Sequence, residues 1–491
     1  AQAPLRFLWL RRGSRRAALP ERCQVHIGHG AAVADDCAMA PPPTEASPLC
    51  EDPSKRASGN WLATLRLVGT SGAGLLADGY DLQVVNLVLA IMEHIYPQKM
   101  DPRAKSFAAS MTLAGVVVGQ VTFGALADVF GRKLTSITTA MLTILGAALS
   151  ACVADSPAMG IATQLGLCRL LLGLGIGGEY PLSAAIGKEA EGRALALTRP
   201  QLLVANMLLF NLGSVIQAAF VGIMLAASVP LDLTWRLALA GGVVPSLVAV
   251  VLRLMMEEPE ARSREAQHMP TEVTPSYLAN LRAKVRSKWI LLFGACLSWF
   301  LFNFTAYGQG AFASIICDRL LGGAGDTDLE MAKRNMVFAL IMGGVNLLAT
   351  FIGLFILSVP LRAMQAGAFF LMAVPMWLVA VLYGHSDSSG WLASIYMFSV
   401  FMMPFVGITT YMVPTENFPA SIRGTCMGIA SASGKIGGMV GTAVFPIWEH
   451  RYSLNMVLVV SGFVSLLGAF VTLALTPVTR TSEECETEKE V

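Results

Sequence analysis

Apolar residues along this chain gather into long runs separated by shorter polar connections. The runs lie at about 65–92, 106–127, 134–154, 160–186, 200–227 and 234–254, then at about 288–316, 336–358, 364–383, 390–413, 422–446 and 454–477. Each is close to the roughly 20 residues a helix needs to cross a bilayer. The pattern predicts an all-α membrane protein of twelve transmembrane helices. A polar, charged loop over 255–287 divides it into six-helix units at 62–254 and 288–477. Residues 1–61 have no apolar periodicity; they carry Arg6, Arg11, Arg12, Arg15, Arg16 and Arg22, then Pro41, Pro42, Pro43 and Pro48. They read as a disordered cytosolic tail, with an Arg-rich transit peptide as the alternative. The chain opens on Ala1 rather than Met, which leaves its natural start open. Residues 478–491 form a second polar, acidic tail.

Composition agrees with the runs. Hydrophobic residues make up 54% of the 491 and charged ones 14%, against about 25% charged in a soluble domain. The mean hydropathy is +0.59. A net charge of +2 gives no reason to expect a nucleic-acid partner. Nine cysteines are scattered without a CxxC pair or a disulfide framework, and Cys152, Cys168, Cys296 and Cys426 read as small apolar packing residues. Cys23, His26 and His29 lack a fourth ligand at a sensible spacing, so no metal is expected. His94, His385 and His450 fall near span ends, poor places for a proton relay. No Ser-His-Asp set or phosphate cradle appears in the loops, so neither enzymatic activity nor a cofactor is expected.

Basic residues orient the spans. Arg132, Lys133, Lys188, Arg193, Arg199, Arg362 and Arg423, with the cluster Arg262, Arg264, Arg282, Lys284, Arg286 and Lys288, occupy alternate connections. By the positive-inside rule both termini and the central loop are expected in the cytosol. Glu189 and Arg193 after the fourth run echo Glu416 and Arg423 after the tenth, and Asp78 echoes Asn303 at nearly the same offset. A duplicated unit places a substrate site between the halves, near the bilayer midplane.

Several polar residues lie inside the runs, where ionisable groups are expensive and functional candidates by default. Asp78 and Asp81 are three apart and share one helix face, where two carboxylates tend to hold one proton between them; the bland reading has Asp81 solvated in a vestibule. Glu179 follows a glycine cluster in Gly173-Leu-Gly-Ile-Gly177-Gly178. That cluster has no preceding strand, so it fails as a nucleotide loop. Arg169 is the expected structural partner of Glu179. Trp299, Asn303 and Tyr307 are four apart and form one stripe, with Gln309 close behind. Lys435 sits among glycines that let helices approach closely, so it should face the interior, offering three N–H donors to an anion or pairing with Glu179 or Asp78.

The turn Gly124-Ala-Leu-Ala-Asp128-Val-Phe-Gly131-Arg132-Lys133 resembles the signature loop of the major facilitator superfamily. In that superfamily this loop latches the cytosolic gate. Near Val359-Pro-Leu-Arg362 the second half has lost nearly all of it. The run ending Gly177-Gly178-Glu179-Tyr180-Pro181 resembles the signature of the phosphate:proton symporters, which have Asp at the position of Glu179. The Trp299–Tyr307 face, the Ser-Gly-Lys context of Lys435 and the stretch Thr409-Thr410-Tyr411-Met-Val-Pro414-Thr415-Glu416 are similar to the same family. The likeness covers roughly residues 62–477. It departs at Asn303, where the family has Asp, and at Gly407, where it has Asn. The family's fifth-helix Gln has its nearest match at Asn211, ahead of Asn206. The resemblance implies two pseudo-symmetric bundles that move inorganic phosphate with protons by alternating access. Tyr180, Trp299, Asn303, Tyr307, Lys435 and Asn211 would bind substrate, and Asp78, Asp81 and Glu179 would couple protons. Gly124, Asp128, Gly131, Arg132, Arg169, Glu416 and Arg423 would gate. A monomer in the plasma membrane, with an organelle membrane as alternative, is the expectation. Another small solute or a non-transporting nutrient sensor remain the alternatives.

Overall fold

The computed structural model describes residues 60–156, 158–189, 196–256, 275–321, 328–382 and 389–477. These all fall in one compact unit, Ser47–Val491. The tails, most of the central loop, the Cys23/His26/His29 cluster, Arg193 and His385 lie outside the described residues, as do the side chains of Gln309 and His450.

The described residues are almost wholly helical. The first bundle comprises α1 (Trp61–Ile95), α2 (Pro102–Phe130), α3 (Arg132–Ala151), α4 (Ile161–Glu189), α5 (Arg199–Ala226), α6 (Leu231–Ala240) and α7 (Val243–Leu254). A connecting helix α8 (Pro275–Ser287) follows. The second bundle comprises α9 (Trp289–Leu321), α10 (Asp328–Gly353), α11 (Leu361–Leu382), α12 (Ser389–Asn417), α13 (Ala420–Arg451) and α14 (Leu454–Leu475). Local chemistry sets the starts. Asn60 accepts from the Ala63 amide at 3.1 Å, Asp101 from Ala104 at 2.8 Å, and Thr198 with Gln201 forms a capping box.

One expectation holds with a refinement and one needs correction. The sixth run crosses as a single span, Leu231–Leu254, interrupted at Gly241-Gly242 between α6 and α7. Two successive glycines are poor helix formers, and α1 presses in here, so that a Cβ on Gly242 would lie 2.1 Å from Asp81 Oδ1. The central connection is not all loop, since 275–287 is helical. Its Lys284 and Arg286 lie in the last turn, where cations suit the helix dipole, and Lys284 reaches Ser421 Oγ at 3.3 Å.

Eleven described spans are long and apolar enough to cross a membrane. The twelfth helix, α13, has 32 residues, ample length, but Gly, Ser, Thr and Lys435 dilute its apolar content. It does not need that content, because it packs between α9 and α2 in the middle of the molecule. The bundles meet along α2–α13 and α5–α10, the same contact made twice. A shared core of Leu75, Tyr180, Leu203, Trp299, Phe405 and Tyr411 lies between them. Large apolar side chains such as Val118, Leu145, Ile223, Val251, Phe293 and Phe470 point outward. Polar groups inside and apolar ones outside is the arrangement a bilayer imposes.

Candidate functional site

Lys435, Tyr180, Trp299 and Tyr307 converge at the centre of the interface. Lys435 Nζ donates to the Tyr307 hydroxyl at 2.7 Å and lies 5.4 Å from the Tyr180 ring centre and 5.2 Å from that of Tyr307. At those distances the ammonium also feels the aromatic rings. Tyr180 meets Trp299 edge-on at 6.1 Å and Phe210 at 5.9 Å. Asn303 is buried on the α9 face that carries Trp299 and Tyr307. At Gly407 an added Cβ would only touch the Phe302 ring, 3.6 Å away. Asn211 stands apart from the lysine cluster. Its amide donates to Thr350 Oγ1 at 2.9 Å and to the Met207 carbonyl, which ties α5 to α10.

The acids divide into two sites. Glu179 does not pair with Arg169, because ten residues of helix separate the two by about 15 Å. Its partner is Arg253 of α7, whose Nη1 donates to Oε1 at 2.8 Å and whose Nη2 bonds Oε2. Thr139 Oγ1 adds a third bond at 2.9 Å. Asp78 lies near this pair, within electrostatic reach of Glu179, Lys435, Asp81 and Arg253. Asp81 turns the other way, toward Gly242 and Arg169. It is sealed at 0% exposure, which removes the reading of a vestibule acid. Neither carboxylate meets a hydrogen-bond donor. Arg169 bonds the Asp81 carbonyl and approaches Thr112 Oγ1 at 3.3 Å, so it stands with the buried acids rather than with the other gating candidates.

Those other gating candidates gather at one end. Gly131 joins α2 to α3 with φ 95 and ψ 165, a conformation open in practice only to glycine. The turn points Arg132 inward, where its Nε and Nη2 hold both oxygens of Glu189 at 3.0 and 2.9 Å. Arg132 also donates to the Ala420 carbonyl at 2.9 Å, and Arg423 Nη1 reaches Glu189 Oε1 at 2.7 Å. Lys188 pairs with Glu416. Two of these ion pairs, Arg423 with Glu189 and Lys188 with Glu416, therefore cross between the bundles. Asp128 accepts from the amides of Gly424 and Thr425, in the second turn of α13, at 3.1 and 2.6 Å, and from the Thr425 hydroxyl at 2.7 Å. Gly124 permits this approach, since a Cβ there would lie 2.5 Å from the Gly424 carbonyl oxygen. The two bundles are bonded to each other at this end of the molecule.

Sequence reasoning missed Arg253 as the partner of Glu179 and the ion pairs that cross between the bundles. Arg253 was open to detection, because it lies inside the run 234–254 and Glu179 needs a cation.

Two like helical bundles meeting at a polar, charge-lined interface are the architecture of a membrane carrier. The model of the Major Facilitator Superfamily matches residues 71–442, and the chain belongs to that family. It is 28% identical to the probable inorganic phosphate transporter 1-10 of Oryza sativa subsp. japonica, over 85% of this chain and 89% of that one. It is 29% identical to the glycerophosphocholine permease GIT4 of Candida albicans, over 83% of this chain and 77% of the permease. In fold it is similar to the proton:xylose symporter XylE bound to a bromo-deoxyglucose, with a TM-score of 0.68 at 18% identity, covering 87% and 98% of the two chains. The relatives and neighbours are transporters, and this chain is a multi-pass membrane transporter of that superfamily.

Proposed function

We propose that the protein moves inorganic phosphate across its membrane together with protons. The observation that carries this reading is Lys435, a cation only 4% exposed at the interface of the bundles, which among the described residues hydrogen-bonds to a hydroxyl rather than to a carboxylate. Such a group is poised for an anion. Tyr307, Tyr180 and Trp299 add an O–H, a second O–H and an indole N–H around it, the donors a phosphate takes up. Asp78 and Glu179 gain protons from the open side, which lowers repulsion against the entering anion. Asp81, beside Arg169, holds a further site for a proton. The bundles then rock, the latch of Asp128, Arg132, Glu189, Arg423, Lys188 and Glu416 parts, and loss of the protons expels the anion. Both termini and the latch face the cytosol in this scheme, and the monomer works in the plasma membrane. Asn303 leaves Lys435 less neutralised than an acid would, which favours anion binding and slows return of the empty carrier.

A second substrate, a glycerol phosphodiester, is favoured by Gly407, which presents no side chain, and by the likeness to a glycerophosphocholine permease.

Labelled phosphate uptake into proteoliposomes tests the reading, with and without an inward proton gradient. Gradient-driven uptake by the wild type that Lys435→Ala abolishes is the expected result. Uptake indifferent to the gradient would leave phosphate and remove protons. No phosphate uptake by folded protein, or uptake of glycerophosphocholine instead, would overturn the inorganic substrate.

A further inference from the structure

Between the central lysine site and the latch lies a group of polar side chains that neither uses. Tyr411 of α12, Ser183 of α4, Asn206 of α5 and Ser71 of α1 are all buried. The Ser183 and Tyr411 hydroxyls share a hydrogen bond of 2.8 Å across the interface, and Ser71 Oγ donates to Asn206 Oδ1 at 2.9 Å. Asn206 approaches the Tyr411 hydroxyl within reach of a side-chain hydrogen bond, yet among the described residues its Nδ2 meets no partner with good hydrogen-bond geometry although the residue is 0% exposed. An amide left in that state costs free energy that an apolar side chain would not, so its retention points to a ligand that arrives later.

The position is that of a step on a path. Ser183 is three residues from Tyr180, and Glu189 is six residues further on, about 9 Å along α4. Tyr411 is five residues from Glu416 on α12, and its ring meets Tyr180 edge-on at 6.2 Å. The group is thus one layer from the lysine site and one from the latch. Its chemistry is neutral and rich in donors: three hydroxyls and an amide, with no carboxylate among them. The Ser183–Tyr411 bond joins the two bundles, so parting them at the latched end must break it. That frees two hydroxyls beside the unpartnered amide.

We propose that Tyr411, Ser183, Asn206 and Ser71 form a second, transient anion-binding station, which the substrate occupies after leaving Lys435 and before passing the latch. The proposal rests on the phosphate reading above. The station is deliberately weak. Uncharged donors compensate part of the anion's lost hydration without holding it, as multi-site permeation requires.

The test compares Tyr411→Phe and Asn206→Asp with wild type, using labelled phosphate for both equilibrium binding in detergent and uptake into proteoliposomes. Tyr411→Phe keeps the ring in its packing and removes one donor. It should lower the maximal uptake rate about three- to tenfold, with equilibrium affinity and outer-side KM within about twofold of wild type. Asn206→Asp is nearly isosteric, keeps the acceptor for Ser71 and adds a charge of the anion's sign. It should lower the rate further while binding at Lys435 persists. Maximal rates unchanged in Tyr411→Phe, or rate and affinity falling together, would overturn the station. Should Asn206→Asp not fold, Tyr411→Phe decides alone. Wild-type protein that neither binds nor moves phosphate would instead sink the substrate reading, and the station with it.

Discussion

Arg253 and Glu179 occupy positions at 0% and 2% exposure that neither charge would tolerate alone. Removing one member of such a pair costs about 3–5 kcal/mol, because the survivor is left uncompensated. Arg253→Leu should therefore lower the melting temperature in detergent sharply, and the double variant with Glu179→Leu should regain much of the loss. Equal loss in single and double variants would show that the pair is not the cause. Asn303→Asp asks a different question of the same interior. A carboxylate between Trp299 and Tyr307 competes with phosphate for Lys435 when ionised and less so when protonated. The KM for phosphate should rise with pH more steeply in the variant than in wild type, converging at acid pH. Residues were legible here to the extent that cost made them visible. A lysine or glutamate inside an apolar run announces itself, and Lys435, Glu179, Asp78 and Asp81 all prove buried. Partnership was not legible, since Arg253 and Glu179 are brought together by the packing of α4, α7 and α3, which spacing along one helix cannot foretell.

At the scale of elements, run length predicts where helices lie and fails where they stop. The first helix extends from Trp61 to Ile95, a few residues past its apolar run at each end, where Asn60 caps its start and Glu93 and His94 continue its last turn. Gly241-Gly242 ends α6 inside a run that hydropathy reads as unbroken. Unusual backbone was legible at Gly131 but not at Ser228, which also takes a positive φ, of 55. Gly131 was read as a tight turn, and its φ of 95 makes alanine costly there by about 1–3 kcal/mol. Gly131→Ala should weaken the latch more than it weakens the fold. The expected sign is a modest fall in melting temperature with a larger fall in transport. Gly124→Val acts on the neighbouring contact, where a side chain collides with the Gly424 carbonyl. Spin labels on α2 and α13 should report a wider separation at the latched end.

At the scale of the whole molecule, few ionic bonds join the two bundles. Glu189 receives both Arg132 and Arg423, so one carboxylate fastens three helices from both bundles. Glu189→Gln keeps the shape and removes the charge. A loss of about 1.4 kcal/mol shifts an equilibrium tenfold, so the variant should spend much more time open at that end. A cysteine placed at Ser183 would then react faster with a water-soluble maleimide, and an unchanged rate would show the latch to be ornamental. The two-bundle plan was legible because hydropathy and charge asymmetry are collective signals, averaged over hundreds of residues. The direction of the crossing ion pairs was not, being a property of how the bundles dock.

The central position of α13 has a consequence for synthesis. This helix carries the lysine and the small residues that let its neighbours come close, and for that reason it is the poorest in apolar side chains of the twelve. A segment that enters the bilayer by its own hydrophobicity needs no companions; this one does. It emerges from the ribosome after α2 and α9, the two helices that will cover it, and it must find them already in place. In a glycosylation-reporter assay α13 alone should insert inefficiently, and should insert well when the preceding helices are present. Variants that loosen α2 or α9 would then fail in the cell before any substrate is met, as chains whose eleventh span was left on the wrong side of the membrane.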